Sequence, residues 1–221
     1  MITSTRISFL FLAFLLILCP DVFARKAKGF IINNQNDTIK GWINLPTHDF
    51  STNAFYLSGF DSEMLHHEVH FKNENKGQWQ TYLPGEIKQF VFSYKNKITS
   101  FTSFKLPLKS MIETDKEQYR FLKLEYKGVV SLYKYSFLSP NKTMYSQNEK
   151  TEKTNEWYLI NPTGEVIPVR TKDEIKNMHD LLQKAGIEND YIQLIPADTN
   201  FKAIKSVLQN YDNWLADHHK E

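Results

Sequence analysis

The chain has 221 residues, with 27 Lys and Arg against 25 Asp and Glu, a formal net charge of +2, and one cysteine. Its lysines are interleaved with acids rather than gathered into blocks, which argues against a nucleic-acid-binding protein held by a basic stripe. The one cysteine, Cys19, falls inside an N-terminal apolar run. A chain cut behind that run therefore has no disulfide, no thiol nucleophile and no cysteine-ligated zinc.

Met1–Ala24 reads as a secretory signal. Arg6 supplies the positive n-region, Ile7–Cys19 is an almost unbroken apolar run, and Val22-Phe23-Ala24 ends on a small residue suited to cleavage. The run falls short of the about 20 apolar residues that a spanning helix needs. No second such run follows, so no membrane span is expected after cleavage. A lipoprotein reading of Cys19 fits poorly, because Leu18 stands where a small residue is required and Pro20 follows. The expected mature chain is Arg25–Glu221, exported to the periplasm or beyond.

Gly29–Asn33 and Thr38–Leu45 read as strands joined by a turn at Asn34–Asp37, since Asn and Asp tolerate left-handed backbone. His48–Asn53 reads as loop, Ala54–Leu57 as a short strand and Gly59–Glu63 as loop. Glu68–Lys72 alternates as a strand with Val69 and Phe71 inward; Asn73–Gly77 is a turn and Trp79–Leu83 returns. Pro84–Ile87 reads as a tight turn or one helical turn. Phe90–Tyr94 and Ile98–Phe104 make a hairpin around Lys95-Asn96-Lys97, and Pro107–Glu117 is a connection.

The stretch Arg120–Phe137 is the central hairpin, turning at Lys127-Gly128. A two-residue turn there sets Tyr126 opposite Val129, Leu124 opposite Ser131 and Leu122 opposite Tyr133. The core face is then Leu122, Leu124, Tyr126, Val129, Tyr133 and Tyr135. Ser139–Asn155 is polar and reads as an exposed loop. Glu156–Ile160 is a strand, Asn161–Gly164 a turn, and Glu165–Pro168 pairs back.

The period changes near Thr171. Thr171 and Glu174 have the spacing of a capping box. Ile175, Met178, Leu182 and Ala185 share one helical face, and Gly186 suits the position after the helix. Asn189–Ile195 is a short helix stopped by Pro196. A last helix starts near Asp198–Asn200, with Phe201, Ile204, Leu208, Tyr211 and Leu215 on its apolar face. The expected fold is α+β. An antiparallel β-rich domain covers 25–168, as hairpins in a meander open to barrel-like closure. A small C-terminal helical segment, 169–221, packs on it.

The order GFIINNQNDTIKGWI, VHF…WQTYLPGEIKQF, FLKLEYKGVVSLYKY and a helix pair ending in LQNYDNW resembles a broad group of secreted Bacteroidetes proteins. These open with a "G-[YF]-[IV]…GDTI-x-G-x-I" hairpin, pass through "W-x-x-Y-x-P-x-E-I-x-x-F" and "FLKVL…G…SLYYY", and end in a helical tail with a Tyr-Asn pair. Here Asn36-Asp37 replaces the usual Gly-Asp, and Tyr211-Asp212 replaces Tyr-Asn. The resemblance covers most of the mature chain. It implies export and fold, and carries over no catalytic or ligand residue.

Candidate chemistry is sparse. On a strand, His66, Glu68 and His70 point the same way, and two His with one carboxylate is a metal-ligand set. Against it, Val69 and Phe71 are the buried parity, which leaves the three on a solvent face. No G-x-S-x-G, phosphate loop or dinucleotide fingerprint is present. Tyr133, Tyr135, Trp79 and Tyr82 could stack on sugar rings, or simply fill a β core. Asn36-Asp37-Thr38 and Asn141-Lys142-Thr143 match the N-glycosylation sequon, which has little meaning in a bacterium. Asp37-Thr38-Ile39 also fits an Asp-Thr-apolar O-glycosylation pattern of Bacteroidetes. The expected function is a non-catalytic binding or structural module with an envelope protein or glycan as partner and no cofactor. The alternatives are a periplasmic metal- or carboxylate-dependent hydrolase and a carbohydrate-binding module.

Overall fold

The computed structural model describes residues 24–49, 54–55, 60, 62–75, 77–107, 117–141, 150–169 and 177–218. The expected leader and the Thr171–Glu174 capping box lie outside them. The strands are β1 (Ala24–Asn33), β2 (Thr38–Pro46), β3 (His48–Asp49), β4 (Ala54–Phe55), β5 (Val69–Asn73), β6 (Trp79–Tyr82), β7 (Ile87–Tyr94), β8 (Lys97–Pro107), β9 (Glu117–Tyr126), β10 (Ser131–Asn141), β11 (Lys150–Ile160) and β12 (Val166–Val169). Ten of them form one antiparallel sheet in the order β12-β11-β10-β9-β8-β7-β1-β2-β5-β6, while β3 and β4 pair separately. The helices α1 (Met178–Lys184), α2 (Asn189–Ile192) and α3 (Ile204–His218) follow the last strand.

The turns follow their residues. Lys95 and Asn96 both sit at positive φ, 49° and 61°, as a type I′ hairpin requires. Asn33 Oδ1 accepts from the amides of Gln35 and Asp37 and fixes the β1–β2 turn. Asn161 Oδ1 does the same for Glu165.

The sheet is open at β6 and β12 and does not close into a barrel, but one end coils strongly. Four strand spacings, roughly 19 Å in a flat sheet, separate β6 from β7. The connection from Tyr82 to Ile87 cannot cover that: even fully extended it reaches only about 17–18 Å. It is not extended, because Glu86 N–H donates to the Leu83 carbonyl at 3.1 Å. The strands from β7 to β6 must therefore curl, with β6 swinging back toward β7. Gly85, at φ 93°, makes the return, and Asn34 Nδ2 donates to its carbonyl at 2.9 Å.

The concave side of the coil holds the first core: Ile31, Ile43, Leu45, Val69, Phe71, Ile87, Phe90, Phe92, Phe101 and Phe121, all buried. Phe90 stacks on Phe101 at 4.8 Å and meets Phe121 edge-on at 5.0 Å. Each fully buried Phe contributes roughly 2–3 kcal/mol as an upper bound. Gly41 is obligatory here: a Cβ would lie 2.2 Å from the Lys72 carbonyl and 2.5 Å from the Phe71 ring.

A second core lies under the helices. Val130, Leu132, Leu159, Ile167 and Val169 of the β10–β12 end meet Met178, Leu181, Leu182, Tyr191, Ile204, Leu208 and Tyr211. Asn177 Oδ1 accepts from Asp180 N–H at the start of α1, and Gly186, at φ 78°, follows its end. Tyr191 Oη donates to the Val207 carbonyl at 2.8 Å.

Three expectations change. His48–Asp49 is not loop but pairs with Ala54–Phe55. The polar stretch 139–155 is partly strand, since β10 runs to Asn141 and β11 begins at Lys150, paired through their full length; backbone pairing, not apolar content, sustains them. The central hairpin has four connecting residues, 127–130, with Tyr126 opposite Leu132 and a register slip that sets Tyr133 opposite Leu124. Val130 and Leu132 are buried, while Val129 is 45% exposed.

The cause of the hairpin change is tertiary. Asp212 on α3 reaches the turn, where its carboxylate accepts from Tyr126 Oη at 2.5 Å and from Val129 N–H at 3.1 Å. A Cβ on Gly128 would lie 2.1 Å from Asp212 Oδ2. Asp212→Ala should therefore lower stability by about 2 kcal/mol, with Tyr126→Phe costing less because one of the two bonds survives. Urea denaturation measures both. An unchanged midpoint for Asp212→Ala would show that the tail is not fastened through this turn.

Candidate functional site

The candidate metal ligands His66, Glu68 and His70 are not brought together. Residues 64–66 form a 3₁₀ turn rather than a strand, so the alternation that aligned His66 with Glu68 and His70 does not apply. His66 is buried, at 1% exposure. Its Nδ1–H donates to the Phe121 carbonyl, and its Nε2 accepts the Ser136 N–H at 3.2 Å. Both ring nitrogens are thus occupied by backbone. Glu68 and His70 lie on the outer face, with His70 Nε2 donating to Glu68 Oε1 at 3.1 Å and Nδ1 accepting from Thr81 Oγ1 at 2.9 Å. Among the described residues no group of three or more His, Cys, Asp or Glu side chains is arranged to hold a metal ion.

His66 has a structural position instead. The β9–β10 ladder ends at the pair Lys123–Lys134. Two residues further along the same register, Ser136 would face Phe121. The imidazole stands in that gap, taking the hydrogen-bonding place of the missing rungs. Phe101 and Tyr135 pack edge-on against it at 5.3 and 5.0 Å.

Burial in this apolar setting pushes the His66 pKa down to about 3, against the Phe121 carbonyl, which favours the proton. The unfolded chain binds this proton near pH 6.5 and the folded chain only near pH 3. Stability is therefore full above about pH 6.5 and falls as pH drops through that window, by on the order of 5 kcal/mol at its lower end. His66→Gln keeps a donor and an acceptor without titrating. The wild-type urea midpoint should fall more steeply than that of His66→Gln between neutral and mildly acidic pH; parallel curves would remove His66 from the linkage.

The four aromatic residues weighed between a sugar platform and a β core separate. Tyr133 packs edge-on against Phe104 at 5.0 Å, Tyr135 packs against His66, and Tyr82 leans on Phe71 at 6.3 Å. Trp79 alone stands free on the outer face, at 38% exposure. Its companion there is Trp42.

The arrangement follows from strand parity. Ala27, Ile43 and Phe71 face the first core, so Lys26, Lys28, Trp42, Asn44 and Lys72 face outward. The registers pair Lys28 with Trp42, Trp42 with Lys72 and Lys72 with Trp79. One line, Lys28–Trp42–Lys72–Trp79, thus crosses β1, β2, β5 and β6. Beside it, Lys26 pairs with Asn44, and His70 with Thr81. Lys26, Trp42, Lys72 and Trp79 line an open cleft of about 240 Å³. The two indoles belong to strands two spacings apart, roughly 10 Å.

The electrostatics are one-sided. Lys28 Nζ lies 5.4 Å from the centre of the Trp42 ring. Among the described residues no carboxylate is ion-paired with Lys26, Lys28 or Lys72, and Glu68 on the neighbouring row is held by His70. Asn44 Oδ1 is shielded from solvent and accepts no hydrogen bond among the described residues. Sequence reading passed over Trp42 because it sits in a β-hairpin read for its core residues. Its parity, opposite to Ile43, was the available signal.

Comparison with protein-family models, with curated proteins and with solved structures gives no match. Among the described residues no helix is long and apolar enough to cross a membrane.

Proposed function

We propose that this protein is an exported, non-catalytic binding module of the bacterial envelope, and that its ligand is a glycan lying across the outer face of β1, β2, β5 and β6. The observation that carries the reading is the Lys28–Trp42–Lys72–Trp79 line on a convex sheet face. Two indoles set across this face offer ring faces to the C–H faces of sugars along one glycan chain, and aromatic residues combine large contact area with little conformational cost. The N-terminal apolar run read as a secretory signal and the resemblance to secreted Bacteroidetes proteins support the envelope location.

The metal-dependent form of the hydrolase alternative required His66, Glu68 and His70 to converge, whereas both nitrogens of His66 serve the β9 and β10 backbones. The module reading uses side chains that project from a rigid sheet into solvent, the usual placement for recognition without chemistry.

Affinity electrophoresis of residues 25–221 in gels containing envelope and plant polysaccharides tests the reading. Wild-type protein should be retarded by at least one polysaccharide. Trp42→Ala and Trp79→Ala should each weaken that retardation about tenfold while leaving thermal unfolding near the wild-type value. Retardation indifferent to both substitutions would place the ligand elsewhere.

A further inference from the structure

Resting on that glycan reading, we infer that the ligand is acidic, a sugar chain bearing uronate carboxylates, with Lys26 and Lys72 holding the carboxylates while Trp42 and Trp79 take the ring faces. Three ammonium groups, on Lys26, Lys28 and Lys72, surround the indoles. Among the described residues none is neutralised by a carboxylate ion pair. Clustered, uncompensated cations raise the local concentration of anions and disfavour a neutral or cationic partner. The protein as a whole carries a formal charge of only +2, so this end is locally biased rather than part of a generally basic surface.

The spacing fits a polymer. Lys72 stands between the two indoles in the register line, and Lys26 is on the adjacent row beside Asn44. A chain running along the line meets ring face, charge and ring face in turn. That alternation suits a polysaccharide whose rings each carry a carboxylate.

Where the charge sits separates uronates from other polyanions. A uronate carries its carboxylate at the ring edge and leaves both ring faces free for the indoles. Phosphodiester backbones set their charge between the rings, and acidic peptides lack the recurring flat faces.

The test uses isothermal titration of residues 25–221 with polygalacturonate, alginate and hyaluronate. Each is run beside its methyl-esterified form, which keeps the rings and removes the charge. Dextran sulfate and a single-stranded oligonucleotide complete the set. At least one uronate polymer should bind, with its ester about tenfold weaker and with affinity falling as salt rises. Lys26→Gln with Lys72→Gln should weaken the acidic polymer about tenfold and leave the ester unchanged, and Lys26→Arg with Lys72→Arg should restore binding. Equal, Trp42-dependent binding of acid and ester would overturn the acidic ligand while leaving the glycan reading standing. Tighter binding of dextran sulfate or the oligonucleotide, or no uronate binding with neutral glycans still bound, would overturn it as well. Failure of every polysaccharide would remove both readings.

Discussion

One imidazole decides how the two halves of the sheet meet. Where the β9–β10 ladder stops, His66 enters sideways from the 3₁₀ turn and joins the Phe121 carbonyl to the Ser136 amide. Without it, those two backbone groups would be buried and unpaired at the point where the first core gives way to the helix-covered end. Unpaired buried backbone costs about as much as the hydrogen bond it lacks. The bridge also demands a neutral ring with the proton on Nδ1, because Nε2 must accept. Burial against Phe101 and Tyr135 secures that state by making the charged form unfavourable. The same residue that looked like a metal ligand is thus a rung of the sheet, carried there from 55 residues away in sequence.

The remaining architecture follows from two long-range closures. The short Leu83–Glu86 return forces the β7–β6 end to coil, which turns the phenylalanine-rich parity inward and the lysine–tryptophan parity outward. At the other end, Asp212 reaches into the β9–β10 turn and seats the helical tail on the sheet. The recognition proposed above uses the convex face at the β6 end, where, among the described residues, two indoles and three lysines share one surface.

Local chemistry made much of this legible. Alternation located β1, β2, β5, β6 and β7, and Asn34–Asp37, Lys95-Asn96-Lys97 and Asn161–Gly164 marked their turns because these stretches supply residues at positive φ. Helical period located α1–α3 and the buried face of Ile204, Leu208 and Tyr211. What was not legible depended on residues distant in sequence. The hairpin register was wrong because Asp212 reshapes the turn, a contact 86 residues away for Tyr126. His66, Glu68 and His70 were aligned on the assumption of a strand, and nothing local distinguishes a 3₁₀ turn there from extended chain. Tyr133, Tyr135 and Tyr82 went to packing positions because aromatics favour strands for the same reason that they favour ligands, large area at low entropy. Trp42 emerged only when β2 was seen between β1 and β5, which aligns it with Lys28, Lys72 and Trp79.

The ring state of His66 is the most direct measure of the central claim. Long-range ¹H–¹⁵N correlation NMR on uniformly labelled protein reports which nitrogen carries the proton and whether the ring titrates. The bridge requires a neutral Nδ1–H tautomer, an acceptor Nε2 coupled to the Ser136 amide, and no protonation from neutral pH to mildly acidic pH. An Nε2–H tautomer, or titration near the ordinary value of 6.5, would contradict it and leave the junction of the two sheet halves without its bolt.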